Sequence, residues 1–121
     1  MSTHRKVVAG LGNELLCDDG VGVHAARALT HAVGTAATVW EIGTAIWHLA
    51  SLLQPGDDVL ALDAVAAGGA PGSLYYFEGP YAQSAHRAAG AHGMGVFELM
   101  QMMPPAQRPA RLAVLGVEPA C

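Results

Sequence analysis

Three short stretches of this chain are apolar at nearly every position: KVVAGL at residues 6–11, VLAL at 59–62 and RLAVLGV at 111–117. A strand with one wet face alternates apolar and polar residues, because successive side chains point to opposite faces. A strand without that alternation needs cover on both faces, the condition of a parallel sheet sandwiched between helices. No other feature of the sequence restricts the fold as strongly.

The segments between these runs supply the cover. Val21, Ala25, Ala28, Leu29 and Ala32 recur at helical spacing, which predicts an amphipathic helix over about Val21–Val33. TAIWHLASLLQ predicts a second helix, with Thr44 as its N-cap and Pro55-Gly56 as its stop. MGVFELMQMM predicts a third, ended by Pro104-Pro105. A further strand is expected over about Ala37–Ile42, and another in SLYYFEG. The connection AAGGAPG before SLYYFEG is too short for a helical crossover, so that strand is expected to be antiparallel or an edge. PYAQSAHRAAGAHG shows no period and reads as an ordered loop. Strands alternating with helices imply an α/β fold: a three-layer α/β/α sandwich around a mostly parallel, five-stranded twisted sheet, in one domain spanning residues 1–121.

Composition removes several function classes. With 52% hydrophobic and 13% charged residues, the chain is rich in core and not disordered. Its net charge is −4 and it has no basic run, so a nucleic-acid surface is not expected. Cys17 and Cys121 make no disulfide framework, and no signal-peptide pattern opens the chain, so a cytoplasmic protein is expected. No apolar run approaches the roughly 18 residues of a membrane span.

The chemistry concentrates in GLGNELLCDDGVGVHAARAL, residues 10–29. It opens like a glycine-rich nucleotide loop, but two adjacent aspartates repel a phosphate. The dinucleotide fingerprint also requires the helix to open within the glycine turn, whereas residues 13–20 separate Gly12 from Val21. Glu41 is a weak match to the ribose-binding acid, so a small nucleotide-binding protein is a minor reading. Ligands of open α/β sheets gather beyond the carboxyl ends of the strands. Asp19, after the first strand, and Asp63, ending the third, share that edge. His86 and His92 lie in the loop that enters the third helix. Two carboxylates and an imidazole make a hard-to-borderline metal site with open positions. An Asp before a helix is commonly a cap, so Asp18 is expected to cap or to face solvent. Asp63 has no such role to play, and an unpaired acid there is costly to bury. His24, His31 and His48 are expected at the surface, Cys17 as a bystander, and the methionines of ELMQMM as core filler.

Read in order, residues 10–29, EIGTAIWHL, VLALDAVAAGGAPGSLYYFEG, AHGMGVFELMQMM and LAVLGVEP resemble the [NiFe]-hydrogenase maturation endopeptidases. The most specific block is G-x-G-N followed by D-D-G-x-G; the Asp-Ala strand end followed by Pro-Gly is the second anchor. The resemblance implies a phosphorylase/hydrolase-like fold and an endopeptidase. Such an enzyme removes the C-terminal extension of the hydrogenase large-subunit precursor once nickel is in place. By motif position, the nickel-contacting and catalytic residues fall on Asp19, Asp63 and His92. His92 is preferred to His86 because it directly enters the apolar helix. The resemblance favours nickel presented by the precursor over a resident cofactor. Neither a Ser-His-Asp arrangement nor an H-E-x-x-H pattern is visible. The family continues past GVEP into a closing helix. The chain is therefore expected to be shortened, with its last helix missing and an apolar patch beside the fifth strand open to self-association at the sheet edge. An inactive metal-binding or docking module of the same fold is the alternative.

Overall fold

The computed structural model describes residues 4–13, 15, 17–78 and 95–120, without the side chains of residues 17 and 19. Five strands form one sheet: β1 (Lys6–Leu11), β2 (Thr38–Gly43), β3 (Asp58–Ala64), β4 (Leu74–Glu78) and β5 (Arg111–Val117). Among the described residues three α-helices accompany them: α1 (Val21–Val33), α2 (Ile46–Leu52) and α3 (Val96–Met102). The strand order is β2-β1-β3-β5-β4. Every neighbouring pair is parallel except β4 with β5. SLYYFEG is thus both antiparallel and an edge, as its short connection requires. No helix among the described residues is long and apolar enough to cross a membrane.

The helices cover opposite faces. α1 packs through Ala26 against Val8 and Leu62. α2 and α3 bring Leu49, Val96, Phe97, Leu99 and Met100 onto Val7, Ala9, Val59, Ala61 and Val114. The missing alternation in β1 and β3 is explained, since even and odd positions each meet a helix layer. Met100 and Met103 are buried, as filler should be, while Met102 is exposed. Thr44 does not cap α2; the helix opens one residue later, at Ala45, with no side-chain cap.

β5 differs from expectation in its place. It is hydrogen-bonded on both sides, between β3 and β4, and is not the edge. Its apolar run reflects that central position. On the α1 face, however, α1 lies over β1, β2 and β3 and barely reaches β5. Leu74 (67% exposed) and Tyr76 (58%) extend that face on β4, beside their half-buried partners Val117 and Leu115. The apolar patch beside the fifth strand therefore lies largely on β4.

At the amino edge of the sheet, Asp57 is 1% exposed. Arg5 donates to it twice, Nε to Oδ1 at 3.0 Å and Nη2 to Oδ2 at 2.8 Å. The Gln54 N–H adds a third bond at 2.8 Å. The Arg5 guanidinium also lies 5.1 Å from the Trp40 ring. Because Arg5 precedes β1 and Asp57 precedes β3, the pair ties two central strands at their start. Burial pushes the Asp57 carboxyl up, but the Arg5 bonds and charge and the Gln54 N–H more than offset it, leaving the group below the ordinary carboxylate range. A group depressed on folding stabilises above its unfolded pKa and loses that contribution as pH falls through the folded value. Asp57→Ala removes the carboxylate that Arg5 and the Gln54 N–H share, leaving Arg5 its bond to the Leu52 carbonyl at 3.0 Å. It is expected to cost about 2–4 kcal/mol, seen as a fall in thermal midpoint of roughly 10 °C. In an acid titration of stability, Asp57→Asn is expected to flatten the loss that wild type shows below about pH 4.

Candidate functional site

The strand order reverses direction between β1 and β3: from β1 the chain goes outward to β2, then returns past β1 to β3. Such a switch point opens a crevice at the carboxyl ends of the two strands, where open α/β folds bind ligands. Both aspartates predicted for the site arise there. β1 ends at Leu11, and the chain passes through a 3-10 turn at Cys17–Gly20 directly into α1. That turn, which carries Asp19, lies against β3.

Glycine makes this packing possible. A Cβ on Gly22, in the first turn of α1, would sit 2.1 Å from the Leu62 carbonyl oxygen and 2.5 Å from that of Leu11. The helix start therefore rests directly on the backbone of β3 and β1, one residue before Asp63. Gly12 has φ 112°, open to glycine and strained for other residues. Its N–H donates to the Gly43 carbonyl at 2.9 Å, joining the first loop to the end of β2. The glycines that suggested a phosphate cradle thus serve backbone contacts between elements. A groove of about 600 Å³ opens beside them, lined in part by Gly12, Asn13, Glu41, Gly43 and Thr44.

Asp63 is 5% exposed, and its Oδ1 accepts from the Ala64 N–H at 2.8 Å. It is a buried acid at the carboxyl end of a central strand, where the sequence placed it. Asp18 does not cap α1, whose N-cap is Gly20, and is exposed, the second of the two places expected for it. Its exposed carboxylate accepts from the Ala120 N–H at 2.8 Å, tying the first turn to the segment after β5. The Asp19 side chain, His86 and His92 lie outside the described residues. Among the described residues, no group of three or more His, Cys, Asp and Glu side chains could hold a metal ion. Glu41, the candidate ribose acid, is engaged by Arg27 at 2.8 Å on the surface. His24, His31 and His48 are exposed, as expected.

One acid escaped sequence reasoning. Glu118, the first residue after β5, is 7% exposed, and its Oε1 accepts from Tyr75 Oη at 2.7 Å and from the Ala67 and Gly69 N–H groups at 2.9 Å each. The Tyr75 bond and the amides hold the Glu118 carboxyl below its ordinary range, although burial opposes them. The same bond, helped by burial, raises the Tyr75 hydroxyl. A signal was present, since an acid follows an apolar strand here just as Asp63 ends β3.

The fold and switch-point crevice define a three-layer α/β protein with an acidic carboxyl edge. A family model described as hydrogenase maturation protease (HycI) matches residues 23–121, and the chain belongs to that family. The match takes in Asp63 and His92 and begins after Asp19. The chain is 27% identical to the hydrogenase expression/formation protein HupD of Rhodobacter capsulatus over 95% of its own length and 57% of the relative's. It thus spans a little over half of that curated relative. Among solved structures, it resembles the hydrogenase maturating endopeptidase HybD from E. coli, with TM-score 0.81 and 24% identity over 96% of this chain and 75% of that one. It also resembles the [NiFe] hydrogenase maturation protease HybD from Thermococcus kodakarensis, with TM-score 0.70 and 26% identity over 94% and 79%.

Proposed function

We propose that this chain is a processing endopeptidase that removes the C-terminal extension of a [NiFe]-hydrogenase large-subunit precursor after nickel insertion. The observation that carries this reading is the family match across residues 23–121, which includes the buried Asp63 at the switch point. In this reading nickel arrives with the precursor, and Asp19, Asp63 and His92 are the residues that meet it. Carboxylate oxygen and imidazole nitrogen suit a borderline divalent ion, and protein ligands that leave positions open suit an ion already held by its own subunit. Nickel in that position would either polarise the scissile carbonyl or activate water, or would only license the cut while a carboxylate acts as base. The groove beside Gly12 and Gly43 gives an extended polypeptide room next to this edge.

The test is a cleavage assay on matched precursors, read by intact mass. The nickel-loaded precursor is expected to lose its extension, and the same precursor stripped by a chelator is expected to stay whole. Equal cleavage of both would remove nickel from the recognition step. Tight binding of the loaded precursor without any cleavage would instead mark a docking module.

A further inference from the structure

Loop 66–72 leaves β3 three residues after Asp63 and is exposed throughout. Its ends are bracketed by main chain: the Val65 N–H donates to the Val117 carbonyl at 3.0 Å, and the Gly72 N–H to that of Glu118 at 2.9 Å. Its middle would be free to wander, since AAGGAPG has no bulky side chain to pack. The Glu118 carboxylate removes that freedom. It reaches from the end of β5 to take both the Ala67 and Gly69 amides, while Tyr75 from β4 closes the same oxygen. Gly69 is part of the fit, because its N–H also meets Tyr75 Oη at 3.1 Å. A Cβ there would lie 2.2 Å from that hydroxyl. A buried, charged acceptor shared by three donors is a strong restraint for so small a loop. It holds rigid an exposed ridge of small residues at the same sheet edge as Asp63.

We propose that Glu118 is a positioning residue, whose carboxylate locks loop 66–72 into the shape against which the precursor docks beside Asp63. The proposal rests on the processing reading above. Small side chains on a fixed loop let a folded partner approach the backbone closely, and ordering the loop beforehand lowers the entropy lost on docking.

Wild type, Glu118→Ala, Glu118→Gln and Gly69→Ala are compared by amide hydrogen exchange and by steady-state cleavage of nickel-loaded precursor. In Glu118→Ala, exchange at Ala67 and Gly69 is expected to accelerate about 10–100-fold, the scale of lost bonds to a charged acceptor. Exchange at Val59 and Ala61 in β3 stays as in wild type. KM for the precursor rises about tenfold while kcat changes far less, as for lost docking. Glu118→Gln keeps an acceptor oxygen and recovers most of the KM. Gly69→Ala displaces the Tyr75 hydroxyl without altering Glu118, and reproduces the KM rise. Faster loop exchange with an unchanged KM overturns the proposal, as does unchanged loop exchange. Lost β3 protection in Glu118→Ala, with a normal KM in Gly69→Ala, also overturns it, assigning Glu118 to the sheet. A wild-type chain that neither binds nor cleaves the precursor sinks the processing reading itself, and is recognised before any variant is made.

Discussion

Asp63→Asn is expected to lower cleavage of nickel-loaded precursor by roughly 10²–10³-fold, the scale of losing one oriented charged contact in a transition state. The substitution keeps size and an acceptor oxygen for the Ala64 N–H, which now holds the carboxylate at 2.8 Å. It removes the negative charge, the property a divalent ion senses most strongly. Asp63 stands at the carboxyl end of β3, at the switch point, and asparagine at this position matches its shape. The thermal midpoint is therefore expected to stay within a few degrees of wild type. His92→Ala should show the same pattern if the imidazole shares the site. Cleavage rate and thermal melting, measured on the same preparations, separate the outcomes. Cleavage at the wild-type rate by both variants would remove these residues from the site. Collapse of the melt in Asp63→Asn would make the acid a structural one.

Gly22→Ala is expected to destabilise the domain by about 3 kcal/mol, opposite to what helix propensity alone predicts. In an exposed helix interior, Gly to Ala gains about 1 kcal/mol. Here the added Cβ falls 2.1 Å from the Leu62 oxygen and 2.5 Å from the Leu11 oxygen. Both are backbone atoms of central strands and cannot swing aside, so α1 must lift from the sheet. Overpacking of this kind typically costs 1–3 kcal/mol and at times more, which outweighs the propensity gain. Lifting α1 also moves the preceding turn that carries Asp19, so cleavage falls with stability. Ala28→Gly, at an exposed position of the same helix, serves as the comparison and is expected to cost only about 1 kcal/mol. A Gly22→Ala variant as stable as wild type would show that α1 does not rest on the strand backbone as described.

Much of this architecture is legible in one dimension because its signals are local. The helix Val21–Val33 and the strand Lys6–Leu11 appear where period and glycine punctuation put them. The unbroken apolar runs of β1 and β3 announce strands covered on both faces, while that of β5 marks its place inside the sheet. Asp63 is readable too, because an acid that ends such a strand is conspicuous. The pair Asp18 and Asp19 is less so: adjacent acids before a helix share one local signal. That Asp18 turns to Ala120 depends on a contact 102 residues away.

By itself, then, the sequence determined the types of the described strands and α-helices, the sandwich class and the sheet edge at which Asp63 sits, since periodicity and breakers act within a few residues. Tertiary structure alone decided the strand order, which places β5 inside the sheet and β4 at its margin. It also decided the partners of the buried acids, Asp57 with Arg5 across 52 positions and Glu118 with Tyr75 across 43. The reason is physical: a buried carboxylate is tolerable only where donors converge on it, and these donors come from segments that only the folded sheet brings together.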